Sequence, residues 1–236
     1  MPKHDLVNQK PLAVIPARGG SKRLPGKNIK NFLGKPIIQY SIDAALKSNL
    51  FEKVIVSTDS EEIAGLAKKL GAEAPFVRPQ NLSDDFVSVT DVFLHAIEWY
   101  QQSNNCDEAC LILATAPFVQ EKYLKESLEL LKKTEATAVV PVTHFDYPIF
   151  RSLKMGAKNR LEMFWPEHEM TRSNDLPEAY HDAGQFYWVN VAKFMKQKKL
   201  LLPDSVGYSI PKYMVQDIDT MEDWERAEIM YKAIFK

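Results

Sequence analysis

Acidic residues are missing from a long opening stretch of this 236-residue chain: between Leu6 and Ile42 there is no Asp or Glu. The same stretch carries Lys10, Arg18, Lys22, Arg23, Lys27, Lys30 and Lys35, a local charge of +7, whereas the whole chain has a formal net charge of −1. The remainder therefore sums to about −8, which argues against a general affinity for polyanions and for a local anion site. Cysteine is scarce. Cys106 and Cys110 form a single C-x3-C pair with no second pair and no nearby His, a poor zinc site, and they read as ordinary thiols in a reducing cytoplasm. No apolar run approaches the ~18 residues of a membrane span. The opening "MPKHDLVNQKP" has no apolar signal-peptide core, so the expected location is cytoplasmic. His4, His95, His144 and His168 form no cluster, and no internal repeat, linker or low-complexity segment is present.

What is present is an ordinary globular composition, 45% hydrophobic and 26% charged. Short apolar strands alternate with amphipathic stretches through the first half: Leu12–Ala17, Lys53–Asp59, Ala74–Pro79, Ala109–Pro117 and Ala136–Thr143 as strands, with helices over Pro36–Lys47, Glu61–Leu70, Val89–Tyr100 and Glu121–Lys133 between them. Such alternation predicts an α/β fold with a mostly parallel sheet between helices, whose ligands bind beyond the carboxyl ends of the strands. From about 144 to 188 the rhythm changes, and nine of the 25 aromatics fall there. This reads as an irregular or antiparallel insertion with an apolar surface, suited to a subunit contact or a substrate wall. "QFYWVNV" then rejoins the sheet, "MVQDID" (Met214–Asp219) is expected as a last strand, and Met221–Ile234 as the closing helix.

The cationic run follows the first strand as "RGGSKRLPGKN". Glycines at a strand end let backbone N–H groups approach phosphate oxygens, and cations at several spacings suit a polyphosphate. The P-loop spacing is absent, because Gly20 and Gly26 enclose five residues and Asn28 stands where Ser or Thr would be; so is G-x-G-x-x-G. Asp217 and Asp219, two apart on the expected strand, would share a face and suit Mg²⁺. Asp219 with Glu222 equally fits a capping box for the last helix, and spacing alone leaves the two open. Ser57 and Asp59 end a strand on the ligand side, with Asp59 favoured as a helix cap.

"IPARGGSKRLPGKN" resembles the N-terminal motif of the CMP-sialate synthetase family, the cytidylyltransferases that activate nonulosonic acids. "VIVSTDSEEIAGLAKKLGAE", "RPQNLSDD", "DLPEAYHDAGQFYWVN" and "DIDTMEDWERAE" follow in the family's order, so the resemblance covers nearly the whole chain. "YHDAGQFYW" is more similar to members acting on pseudaminic acid than to those acting on sialic acid. The resemblance implies a single Rossmann-like domain over 1–236 with a protruding dimerisation and sugar-binding arm at about 144–185, a homodimer, CTP as donor, a divalent metal (Mg²⁺), and pyrophosphate as product. It implies triphosphate contacts from Arg18, Gly19, Gly20, Ser21, Lys22 and Lys27, nucleoside contacts from Asn28 and Arg78, and metal binding by Asp217 and Asp219.

In the reaction so implied, the sugar's anomeric hydroxyl attacks the α-phosphate, and charge neutralisation by Arg18, Lys22 and Lys27 would carry most of the catalysis. The acceptor's carboxylate should meet a cation, for which Arg172 and His181 are the candidates, with Arg151 behind. Gln185 and Tyr187 share a face of an expected strand and can hydrogen-bond N-acyl or hydroxyl groups. One departure stands out. Sialic acid enzymes carry "QPTSP" where this chain has "LATAP", so Leu113 replaces a Gln and favours a less hydroxylated acceptor. The same chemistry on legionaminic, N-acetylneuraminic or deoxy-octulosonic acid is the near alternative. A non-catalytic nucleotide-sensing or RNA-binding module is the distant one, although only Phe32 lies among the loop cations to stack a base.

Overall fold

The structure, a computed structural model, describes residues 10–21, 23–84 and 87–235. Its centre is a seven-stranded sheet. The strands in chain order are β1 (Leu12–Pro16), β2 (Asn31–Phe32), β3 (Lys35–Pro36), β4 (Lys53–Ser57), β5 (Glu108–Ile112), β6 (Ala138–His144), β7 (Leu153–Met155), β8 (Leu161–Met163), β9 (Tyr180–Asp182), β10 (Phe186–Asn190) and β11 (Val206–Ser209). The sheet runs β11-β6-β10-β5-β1-β4, with β9 also pairing β6. β1 is parallel to β4 and β5, and β11 is parallel to β6; β10 is antiparallel to both β5 and β6 and lies between them. β4, β1, β5, β6 and β11 therefore point one way, and β9 and β10 the other. The sheet is mostly parallel, as expected.

Strand periodicity divides the core in two. Ala13, Ile15, Val54, Val56, Cys110 and Ile112 face one side, packed with α1 (Ile37–Ser48), α2 (Glu61–Lys69), α4 (Glu121–Thr134) and α6 (Met221–Phe235). Leu12, Val14, Ile55, Ala109 and Leu111 face the other, packed with α3 (Val89–Gln101) and α5 (Val191–Gln197). Both faces of β1, β4 and β5 are thus covered, which is why these strands read as continuous apolar runs.

Two expected strands do not form. Ala74–Pro79 makes only an isolated bridge at Val77, beside one at Glu73, and Pro75 and Pro79 have no N–H to extend a ladder. Met214–Asp219 is not a strand either. A single 3₁₀ turn, Lys212–Met214, leads into irregular chain, whose Met214, Asp217 and Ile218 carbonyls accept from the Gln185, Gln216 and Lys27 side chains rather than from a strand ladder. The strand-periodicity argument for Asp217 and Asp219 therefore fails, and their placement has another cause.

The 144–185 region leaves the sheet after β6, forms the separate antiparallel hairpin β7–β8, and returns as β9. Tyr147, Leu153, Met155, Leu161, Phe164 and Met170 are exposed along it.

Candidate functional site

A cavity of about 300 Å³ lies at the carboxyl ends of β1 and β5, a size that suits a small ligand. Of the residues expected to bind a ligand, Arg18, Ser21, Lys27, Asn28, Arg78, Asp217 and Asp219 all line it, and Leu113 and Thr115 contribute from the segment after β5. Lys22 lies outside the described residues. Gly19 and Gly20 do not line the cavity.

The loop after β1 is folded back by its own sequence. Gly26 adopts φ 64°, where a side chain would be strained, and a 3₁₀ turn, Lys27–Ile29, follows. Asn28 is buried, and its Nδ2 donates to the Arg18 carbonyl (2.9 Å), closing the loop on itself. Arg18 Nη1 donates to the Asp84 carbonyl (3.1 Å). Lys27 Nζ donates to the Ile218 carbonyl (2.7 Å) and to Asp219 Oδ1 (3.2 Å), and Arg23 Nη1 pairs with Asp219 Oδ2 (2.8 Å). Two cations of the opening loop thus hold one carboxylate near the far end of the chain.

Asp59 does not cap α2 as expected. Ser60 is the N-cap, its Oγ accepting from the Ile63 N–H. Asp59 Oδ1 instead accepts from the Gly19 N–H (2.9 Å) and lies 3.7 Å from Arg78 Nη2. Gly19 therefore spends its N–H on Asp59 rather than presenting it to a ligand. Arg78 is 4% exposed. Its Nε donates to Ser83 Oγ (3.3 Å), while Nη2 has no hydrogen-bond partner. Burial lowers the Arg78 pKa, and neighbouring Arg18 adds to this against the opposing pull of Asp59. An unsatisfied buried donor at a cavity wall is an open position for an acceptor.

The capping alternative for Asp219 is also resolved. The Thr220 Oγ1 accepts from the Asp223 N–H (3.2 Å) and Asp223 Oδ2 accepts from the Thr220 N–H (2.9 Å), so Thr220 and Asp223 form the capping box at α6. Neither Asp219 nor Glu222 is needed for it. Asp217 is exposed where it lines the cavity, and its pKa is raised by partial desolvation first and by Asp219 next, with Lys27 opposing. Gly184, at φ 60°, sits directly behind it: a Cβ there would be 3.7 Å from Asp217 Cγ. The "HDAGQ" stretch, not a β-ladder, is what backs this carboxylate.

The expected acceptor residues are dispersed. Arg172 is on the hairpin side of the fold, its side chain 83% exposed and paired with Asp175 (2.7 Å). The His181 ring packs on Phe145 at 4.9 Å, and its Nδ1 is 2.9 Å from the Asp182 carbonyl. Gln185 is buried and its Nε2 donates to the Met214 carbonyl, which leaves its Oε1 without a partner. None of the three lines a described cavity with the loop cations. Tyr187 lines a second cavity of about 410 Å³ with Asp182, Lys198 and Lys199, and Val89 lines both cavities. Tyr187 O–H donates to Asp182 Oδ2 (2.8 Å), and burial beside that carboxylate pushes its pKa up.

Sequence reasoning missed Arg23 as an individual contact and the structural part of Asp59. "KR" in the opening run was the signal for the first. The second needs the fold.

Among the described residues no group of three or more His, Cys, Asp and Glu is arranged to hold a metal, and no helix is long and apolar enough to cross a membrane. The cavity wall instead carries four cations, Arg18, Arg23, Lys27 and Arg78, and three acids, Asp84, Asp217 and Asp219, of which Asp219 pairs with Arg23 and Lys27. This arrangement suits a ligand with several negative charges and one hard cation.

Known proteins resemble this chain over nearly its whole length. The cytidylyltransferase family model matches residues 12–227. The pseudaminic acid cytidylyltransferase of Campylobacter jejuni is 45% identical over 225 residues, 95% of this chain and 97% of that protein. The CMP-N,N'-diacetyllegionaminic acid synthase of Legionella pneumophila is 33% identical over 228 residues, 92% of this chain and 94% of that one. Among solved structures, a CMP:2-keto-3-deoxy-manno-octonic acid synthetase complexed with CTP superposes with a TM-score of 0.69 at 17% identity, covering 95% of this chain and 99% of that one.

Proposed function

The chain belongs to the cytidylyltransferase family, and from that premise we propose that it transfers CMP from CTP to the anomeric hydroxyl of pseudaminic acid, releasing pyrophosphate. The observation that carries this reading is the one cavity that Arg18, Lys27 and Arg78 line together with Asp217 and Asp219. A triphosphate laid along Arg18, Ser21 and Lys27, with Lys22, would find its charge offset as pyrophosphate leaves. Arg78, buried with Nη2 unsatisfied, is a donor held ready for the nucleoside, and Asn28 shapes the loop under it.

Asp217 and Asp219 fit a divalent ion such as Mg²⁺. They are hard oxygen donors whose charges already act on one another, and such ions take one or two carboxylates plus substrate phosphates. When bound, the ion would supply charge stabilisation on the phosphates and acidify an adjacent hydroxyl. The acceptor belongs in the adjoining cavity, where Tyr187 and Asp182 offer a hydrogen-bonded pair next to Val89, common to both cavities. Leu113 lines the first cavity and offers no hydrogen bond, which supports a less hydroxylated acceptor than N-acetylneuraminic acid. The row of exposed apolar side chains on the 144–185 segment supports a homodimer formed through that arm. The absence of any membrane-spanning helix among the described residues is compatible with the cytoplasmic location this reading assigns.

The test is turnover of CTP and Mg²⁺ with pseudaminic, legionaminic and N-acetylneuraminic acids offered separately, read as pyrophosphate release and the mass of the CMP-sugar. Turnover with pseudaminic acid above the others is expected. Preference for another acid removes the acceptor assignment, and no turnover with any removes the reaction.

A further inference from the structure

Asp219 carries no free oxygen. Oδ1 is 3.2 Å from Lys27 Nζ and Oδ2 is 2.8 Å from Arg23 Nη1. The two cations are not equivalent. Lys27 is mostly buried, with a side-chain exposure of 20%, and is also anchored on the Ile218 carbonyl, whereas Arg23 is 70% exposed and Asp219 is its one ion-pair partner among the described residues. Both line the cavity that Arg18 and Arg78 also enter. A carboxylate with a monovalent cation on each oxygen has little attraction left for a divalent ion, because that ion would have to enter against two positive charges already in contact. A phosphate chain offers those cations a better partner: guanidinium binds phosphate through two parallel hydrogen bonds, while the Arg23–Asp219 contact has one.

From this arrangement we infer that Arg23 is a positioning residue that weakens divalent-ion binding at the carboxylate site until nucleotide arrives. It occupies the outer oxygen of Asp219 in the free protein and transfers to the phosphate chain when CTP binds. The ion then binds mainly after the nucleotide or with it. Since the pair is exposed, it is weak enough to exchange readily. The inference rests on the assignment of Asp217 and Asp219 to the divalent ion made above, and it concerns Arg23 alone.

The test uses Mn²⁺ as the probe, its binding to the full chain read from the free-ion electron paramagnetic resonance signal, with and without CTP and with no acceptor present. The unsubstituted protein should bind Mn²⁺ weakly without CTP and tightly with it. Arg23→Gln should bind Mn²⁺ about five-fold more tightly without CTP, the size expected on removing one exposed ion pair, and should bind CTP more weakly by calorimetry. Arg226→Gln, which removes the same charge from a Glu222 pair on α6, should leave Mn²⁺ binding unchanged, so that a bulk charge effect is separated from a local one. Adding Asp219→Asn to Arg23→Gln should erase the gain. Unchanged Mn²⁺ affinity in Arg23→Gln, or a gain that survives Asp219→Asn, overturns the inference while leaving the metal assignment standing if CTP still recruits Mn²⁺. No Mn²⁺ binding by any form, even with CTP, overturns both.

Discussion

Replacing Asp59 removes two supports of the site at once, and the size of the effect follows from burial. Its carboxylate is the counter-charge of Arg78, whose side chain is 3% exposed, and the acceptor for the Gly19 N–H at 2.9 Å. Asp59→Ala leaves a buried guanidinium with no opposite charge. Stranding one member of a buried pair destabilises by about 3–5 kcal/mol. Asp59 is itself 28% exposed and the ion pair is long, at 3.7 Å. Water can therefore offset part of the loss, so the low end, about 3 kcal/mol, is the expected value. For a chain of this length about 1 kcal/mol moves the melting temperature by ~2–4 °C, which gives a drop of about 6–12 °C. Asp59→Asn keeps an acceptor for Gly19 and loses only the charge, so it should fall between. Arg78→Met in the Asp59→Ala background removes the stranded charge and should recover part of the stability, a non-additivity that a double-mutant cycle reads directly. The assay is thermal unfolding without ligand of five forms, the parent, Asp59→Ala, Asp59→Asn, Arg78→Met and the double variant, alongside the KM for CTP, which should rise in every variant. If Asp59→Ala and Asp59→Asn both melt within 2 °C of the parent, and the cycle closes additively, then Asp59 does not hold Arg78 and the account of the loop is wrong.

The remaining predictions address other parts of the fold. Thr220→Ala breaks the capping box at α6 and should destabilise by about 1 kcal/mol, whereas Asp219→Ala should leave the α6 cap intact; an equal loss of helicity from Asp219→Ala would return Asp219 to capping. Asp217 is exposed at the cavity wall, and partial desolvation there, with Asp219 beside it, raises its pKa above the ordinary 3.8. Its charged form therefore opposes folding above the raised value, and the penalty fades as pH falls through that value towards the ordinary carboxylate range. Asp217→Asn should accordingly raise the melting temperature slightly at pH 7, because solvent screens an exposed group, lose that advantage in acid, and abolish turnover; a lower melting temperature at pH 7 would contradict the desolvation argument. Burial raises the Cys106 thiol pKa to about 11 and that of Cys110 well above its usual range. Native protein at pH 8 should therefore react slowly with a thiol-specific disulfide reagent and quickly once unfolded; rapid native labelling would mean the core opens locally.

How much of this was legible in the sequence depends on whether the determining contact is local. The opening loop could be read because its glycines, cations and missing acids lie within one short segment, and the strands β1, β4, β5 and β6 because both of their faces are buried and their composition says so. Met214–Asp219 misled for the opposite reason. "MVQDID" alternates like a strand, yet its Met214 and Ile218 carbonyls accept from the Gln185 and Lys27 side chains rather than from a neighbouring strand, which the local pattern does not reveal. The caps show the same limit at smaller scale. Asp59 and Ser60 are adjacent and both suitable for an N-cap, as are Asp219 and Thr220. In each pair the hydroxyl residue takes the cap and the carboxylate turns away, to Arg78 and Gly19 in one case and to Arg23 and Lys27 in the other. That division has a common physical cause. Either side chain can accept the orphan N–H of a helix start, but only the carboxylate can offset a cation the fold has brought into a cavity wall. Two carboxylates far apart in the sequence are thereby committed to the cationic loop. The chemistry the loop can perform is set as much by these distant acids as by its own lysines and arginines.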